Sequence, residues 1–507
     1  MPKSKGGRLQ RAFYSSLTSA LYQIIVICCG FITSRLIVQA YGSSWNGVLT
    51  TIIRFLSIFS IVEAGINGST RVALYKSFAE NDLIKTSSII KANDIFYRKV
   101  SFFLAGYIIV LSLVIPNIVN ADHSKLAIAT MVFIIGISNF AENCWGINSK
   151  ILLMASQSRY IINIIQSITT IFNAILLVLI IRMGGSILVS KAGSSVVYTI
   201  APIILFIISR RMFNIDRNAV PDNSALKGRW DVMANSISNI VHENVDVFFL
   251  TVFCSSAELS VYAIYTVVSN GLTKVFQVII NGIEAGFGNM WTKGEMAVLK
   301  NRLRQFEYIM YSLAVLLFGC MMVLIVPFMS VYMRGINDVN YMRLSLGICL
   351  ALAQILMSIR TPYVLLVQAA GHYKQVRNGA ILEATINIVL TWILVIRYGV
   401  VGAIIGTIIA NLFRTIQYGW YASKYMIDRP FSNIVHRMIW AGAVLLISCL
   451  LSFFVINRIN INGWAMWFAS AGIIFIIQLT ILLVFSFLFY KNDLIDCTHL
   501  LKIVIKK

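Results

Sequence analysis

Long apolar runs alternate with short polar gaps from one end of this chain to the other. Fourteen runs stand out, at about 13–40, 46–68, 100–119, 126–148, 160–181, 185–209, 231–253, 259–287, 306–331, 344–368, 377–396, 401–423, 436–456 and 464–489. Each is close to the roughly 20 mostly apolar residues that cross a bilayer as an α-helix. The runs are continuous, whereas a membrane β-barrel would alternate residue by residue. The pattern predicts an all-α polytopic membrane protein with about 14 transmembrane helices.

The gaps add a direction. With the first residues placed inside, 30 of the 42 Lys and Arg fall in every second gap or at its very edge, on the cytoplasmic side. The outer gaps hold Lys125, Arg182, Arg334, Arg343, Arg397 and Arg458. Retained positive charge in short loops sets orientation, so both termini are expected in the cytoplasm. Composition agrees with the pattern: 58% of residues are hydrophobic, 12% are charged and the mean hydropathy is +0.80. Soluble proteins carry about 25% charged residues.

A net charge of +22 raises the question of nucleic acid. The basic residues sit in membrane-flanking loops without interleaved aromatics, so anionic headgroups are the expected partner. Met1 to Arg11 is basic, but the run that follows is too long for a cleaved signal and reads as a retained first helix. The eight cysteines have neither metal-ligand nor redox spacing. No phosphate-cradling Gly-rich loop and no zinc-binding His pair occur. Together these argue against a nucleotide-driven or metal-dependent enzyme, and no cofactor is expected.

Polar stretches at about 70–99, 210–230 and 290–305 are the longest soluble segments, and none could house a domain. Those after the second and eighth spans look alike: each contains a Lys-bearing helix expected to lie along the inner face. The same tripeptide precedes them, Glu63-Ala64-Gly65 and Glu284-Ala285-Gly286. This predicts two six-helix lobes related as parallel repeats, 1–209 and 231–423. The cytoplasmic linker would be 210–230, and 424–507 would add two further spans and a cytoplasmic tail. Such repeats surround substrate sites in transporters. Trp45, Trp230, Trp291, Trp420 and Trp464 fall near span ends as interfacial anchors do.

Six cations remain inside spans, away from their first and last two residues: Arg35, Arg54, Lys191, Lys274, Arg360 and Arg414. The acids Glu63, Glu142, Glu243, Asp246, Glu284 and Glu383 accompany them. Intramembrane charge costs about 2.5–3.5 kcal/mol at a helix centre, so such groups face a wet cavity or one another. Arg35 and Arg54 lie on adjacent antiparallel spans, and a guanidinium fork suits phosphate. They are candidates for an anion site; pairing with acids or backbone carbonyls is the alternative. Lys274, Arg360 and Arg414 would add a second cationic wall, while Lys191 is near enough to the outer end to snorkel. In the seventh span, Asn235, Asn239, His242 and Asp246 share one helical face. That stripe suits a hydrated wall contacting sugar, or an ion site; interhelical hydrogen bonding is the competing use.

Around these residues the chain resembles the polysaccharide flippases of the multidrug/oligosaccharidyl-lipid/polysaccharide (MOP) exporter superfamily. Ser34-Arg35, then Tyr41-Gly42 and Trp45-Asn46-Gly47, resemble the family's first-span exit. Glu63-Ala64-Gly65-Ile66-Asn67-Gly68-Ser69-Thr70-Arg71 resembles the end of its second span. The resemblance covers nearly the whole chain in architecture. It implies alternating-access export of an undecaprenyl-pyrophosphate-linked oligosaccharide, such as an O-antigen repeat unit, across a bacterial inner membrane. It further implies a polysaccharide polymerase and a chain-length regulator as partners, leaves coupling to a proton or sodium gradient open, and points to Arg35 and Arg54 for pyrophosphate contact.

Three rivals remain. A multidrug cation antiporter would favour cavity acids over arginines, and a flippase for the lipid-linked peptidoglycan precursor would share the cationic cavity. A membrane polysaccharide polymerase would need a large outer loop, and no outer gap exceeds about fifteen residues.

Overall fold

The computed structural model describes residues 5–60, 82–213 and 244–505, together with 70, 73–75, 77–78, 80, 215–216 and 219–222. Within these the chain is helical, and the one β-bridge joins Asn120 to Ser255. The helices are α1 (Lys5–Ile58), α2 (Leu83–Ile118), α3 (Lys125–Ala155), α4 (Arg159–Arg182), α5 (Ile187–Phe213), α6 (Asn244–Phe253) and α7 (Ser256–Thr292). They continue as α8 (Met296–Tyr332), α9 (Leu344–Ala370), α10 (Tyr373–Tyr425), α11 (Ser432–Ile456), α12 (Trp464–Phe489) and α13 (Lys491–Ile505). Ten of the described helices are long and apolar enough to cross a bilayer, which makes this a multi-pass membrane protein.

Two of the ten are broken once. Straight, the 54 residues of α1 would reach about 81 Å. Gly42 interrupts it at φ 86°, and Gly399 interrupts the 53-residue α10 at φ 55°. Both angles suit glycine alone among ordinary residues. Beyond the second break the two halves of α10 cross closely: a Cβ on Gly406 would lie 2.7 Å from Thr391 N. Small residues are what allow helix backbones to approach this way in lipid.

The polar helices expected to lie along the inner face instead run on into transmembrane helices where they are described. The Asp82 side chain accepts from Lys85 N at 2.8 Å and caps α2. With no breaker after that cap, residues 83–99 are the first turns of the 36-residue α2. Residues 296–304 likewise open α8.

By contact the chain divides into two units, Met1–Ser260 and Val261–Lys507. In the first, α6 packs on the second half of α1 through polar contacts. Ser57 Oγ donates to Asn244 Oδ1 at 3.0 Å, Thr51 meets Thr251 at 3.0 Å, and Asn46 Nδ2 donates to Ser260 Oγ at 2.8 Å. Glycine at position 47 leaves room for the Ser256 carbonyl, which a Cβ would overlap at 1.7 Å. Within α3, residues Glu142–Gly146 form a single π-helical turn.

In the second unit α8 is the most enclosed helix, with a core of Phe306, Met310, Tyr311, Phe318 and Ile325. The apolar α12 buries Ser470, Ile474, Gln478, Leu482 and Ser486, every fourth residue, and turns Phe468, Phe475 and Phe487 outward. Its polar stripe faces protein and its apolar faces meet lipid, the reverse of a soluble helix.

Candidate functional site

Arg35 sits on the first half of α1, half-buried. Its Nε is buried with no hydrogen-bond partner, and no described acid pairs with it. Arg54 lies on the second half of α1, also half-buried, and no described acid pairs with it. An unsatisfied buried donor costs about 1–3 kcal/mol. Such a group is tolerated where a ligand or water is meant to meet it.

Lys274, on α7, is half-buried and pairs with no described acid. Asp246, on α6, is 6% exposed and already engaged by neighbouring groups. Asn235, Asn239 and His242 lie outside the described residues.

Arg360 and Arg414 are brought together by an acid. Arg360 Nη1 donates to Glu383 Oε1 at 2.8 Å, and Arg414 Nε lies 3.2 Å from Glu383 Oε2. Arg414 is 4% exposed and uses its remaining nitrogens within the protein. Nη1 donates to the Val376 carbonyl at 3.0 Å and to Gln417 Oε1, and Nη2 donates to Tyr418 Oη at 3.1 Å. The guanidinium carbon also lies 4.2 Å from the Tyr418 ring centroid. Arg360 keeps more freedom: Nη1 is bound, and its Nε and Nη2 make no hydrogen bond to a described residue.

A second cluster was not legible as a site in the sequence. Glu307, at 0% exposure, receives both Nη atoms of Arg429, with Nη1 at 3.0 Å. Arg437 Nη1 lies 3.7 Å from the same carboxylate, and its Nη2 donates to Asp493 Oδ2 at 2.6 Å. Arg304 joins Asp493 at 3.2 Å and Asp496 at 2.7 Å. Burial raises the Asp493 carboxyl above its usual range, against the pull of Arg437 and Arg304. Glu307 has both attraction and close packing around it, so this network ties α8, α11 and α13 together.

In the first unit, Arg210 pairs with Asp94, whose other oxygen accepts from Asn148 Nδ2. Glu142 reaches over Gly146 to Lys150 Nζ at 2.7 Å. Among the described intramembrane acids Glu142 and Glu383 hold cations in place, while Arg35, Arg54 and one edge of Arg360 pair with no described acid.

No family model matches the chain, and no curated protein does. Solved structures do. The lipid II flippase MurJ in an inward closed conformation superposes with a TM-score of 0.72 at 15% identity, over 94% of this chain and 99% of that one. An inward-facing multidrug resistance MATE family transporter of the MOP superfamily gives 0.61 at 9% identity, over 81% and 98%. An outward-facing one gives 0.59 at 14% identity, over 83% and 98%. At such identities the likeness shows the fold alone, one this chain shares with the transporters just named.

Proposed function

We propose that this protein is a flippase that carries an undecaprenyl-pyrophosphate-linked oligosaccharide, an O-antigen or similar repeat unit, across a bacterial inner membrane by alternating access. The observation that carries the reading is Arg35: an intramembrane guanidinium with a buried, unpartnered Nε, on the same helix as Arg54. Unpaired cations in a membrane segment suit an anionic headgroup and disfavour the organic cations a drug antiporter would take. We further propose Lys274 as a headgroup contact and Asn235, Asn239, His242 and Asp246 as the stripe that serves the sugar.

The proposed topology has fourteen spans. The ten apolar helices count as twelve once α1 and α10 are divided at Gly42 and Gly399; α6 and α7 supply the seventh and eighth. The proposed lobes are 1–209 and 231–423, joined by 210–230 and followed by 424–507. A repeated detail supports the pairing of lobes. Asp94 and Glu307 are each eleven residues past the start of their helices, and each binds an arginine at or just past the end of its lobe's last span, Arg210 or Arg429.

The likeness to the lipid II flippase over 94% of the chain keeps a peptidoglycan-precursor flippase as the second reading. Both cargoes carry a pyrophosphate, so the arginines do not separate them. The test is genetic. In a strain lacking this protein, the wild-type chain should restore surface polysaccharide, and Arg35→Ala and Arg54→Ala should restore it poorly at equal membrane expression. Normal export by both variants would remove the arginines from the proposal. Rescue of cell-wall synthesis instead of surface polysaccharide would favour the second reading.

A further inference from the structure

The cluster of Arg360, Glu383 and Arg414 lies entirely within the second unit, on three antiparallel spans. Arg360 is ten residues from the end of α9 at Ala370, Glu383 ten from the start of α10 at Tyr373, and Arg414 eleven from its end at Tyr425. At 1.5 Å per residue all three sit about 15 Å from the same helix ends, which the proposed topology places on the cytoplasmic side.

The cluster is short of negative charge: two guanidiniums share one carboxylate. The two arginines are not equivalent. Arg414 is enclosed, with its nitrogens committed to Glu383, Val376, Gln417 and Tyr418. Arg360 is anchored through Nη1 alone. Its free edge is Nε with Nη2, the side-on fork that binds phosphate oxygens in pairs. Excess positive charge on a partly accessible edge inside a membrane is costly unless an anion or water meets it.

From this asymmetry we infer a pyrophosphate-contacting station in the inner half of the membrane, in which Arg360 touches the lipid-linked pyrophosphate and Glu383, fixed by Arg414, positions it. The inference rests on the flippase reading and deepens it by dividing the three residues into one contact and two supports. It places this contact on the side where a lipid-linked precursor made in the cytoplasm would load. Glu383 is then a positioning residue whose negative charge works against anion attraction but whose oxygen aims the fork.

The full-length purified protein would be titrated in detergent with undecaprenyl pyrophosphate, with undecaprenol as the uncharged control, and its thermal midpoint followed. Arg360→Ala is expected to weaken pyrophosphate-lipid binding about tenfold, the loss of roughly one charged bidentate contact; Glu383 keeps Arg414 as a partner, so the midpoint should fall less than in Arg414→Ala. Arg360→Lys keeps the charge and loses the fork, so it should fall close to Arg360→Ala. Glu383→Gln makes the cluster more positive; positioning predicts weaker binding, whereas attraction by net charge alone predicts tighter binding. Arg414→Ala should lower both binding and midpoint. Wild-type affinity in Arg360→Ala overturns the station and leaves the flippase reading standing. Tighter binding in Glu383→Gln overturns the positioning role. A wild-type protein that binds undecaprenol as well as undecaprenyl pyrophosphate overturns the flippase reading itself.

Discussion

Glu307 shows what a single side chain can hold together. It has no solvent exposure and accepts from Arg429 through both oxygens, with Arg437 close behind. Removing one partner of a buried ion pair costs about 3–5 kcal/mol, because the opposite charge stays buried. Glu307→Gln should therefore lower the thermal midpoint in detergent markedly, and Arg429→Lys should do so less, since it keeps charge but loses the two-pronged contact. An unchanged midpoint in Glu307→Gln would show that the network contributes nothing to stability. This pairing could not be read from the sequence. Glu307 opens an apolar run beside Arg302 and Arg304, where it looks like a boundary residue, and its partner is 122 positions away. Arg429 and Arg437 were equally well explained as loop charges that set orientation. Glu383, by contrast, was visible as an intramembrane acid; its sharing between Arg360 and Arg414 was not, because no local spacing joins three helices.

Among the elements, α12 and α13 divide what hydropathy can and cannot tell. The span Trp464–Phe489 is plain in the sequence, but the fourfold spacing of Ser470, Gln478 and Ser486 gives the buried face only once lipid is recognised as the outer solvent. The tail helix α13 is held by Asp493 and Asp496 against Arg304 and Arg437. Cys497 on the same helix has its thiol pushed up to about 11, by burial first and then by the neighbouring carboxylates Asp493 and Asp496. Its thiolate, the reactive form, is accordingly scarce at pH 8. Maleimide should label Cys497 slowly in the native protein at pH 8 and rapidly in an Arg437→Ala, Arg304→Ala variant whose tail is released. Rapid labelling in the native protein would contradict a docked tail.

For the molecule as a whole, the continuous apolar runs were enough to predict an all-helical, multi-pass chain. The run boundaries at 40–46 and 396–401 coincide with the breaks at Gly42 and Gly399. The expected inner-face helices are extensions of α2 and α8 because nothing in those stretches stops a helix once it is capped. Orientation is open to direct measurement in a cysteine-free background. Ser432 and Asn460 are exposed and lie at opposite ends of α11. Asn460→Cys should react with a membrane-impermeant maleimide from the periplasm, and Ser432→Cys only after permeabilisation. Labelling of both from one side would break the proposed topology between these positions.

The π-helical turn at Glu142–Gly146 has a consequence for how this chain can vary. Such a turn carries one residue more than the α-helix around it, and one residue is about 100° of rotation. Upstream of it α3 sets one phase; downstream, Asn148 reaches Asp94 and Lys150 reaches Glu142. A one-residue deletion there would leave a regular helix of unchanged hydropathy, fully able to insert. It would also swing Asn148 and Lys150 about a quarter-turn away from the acids they serve. Descendants of this sequence can thus lose the helix's phase without losing the helix, and alignments of such chains must keep the extra residue to keep the partners in register.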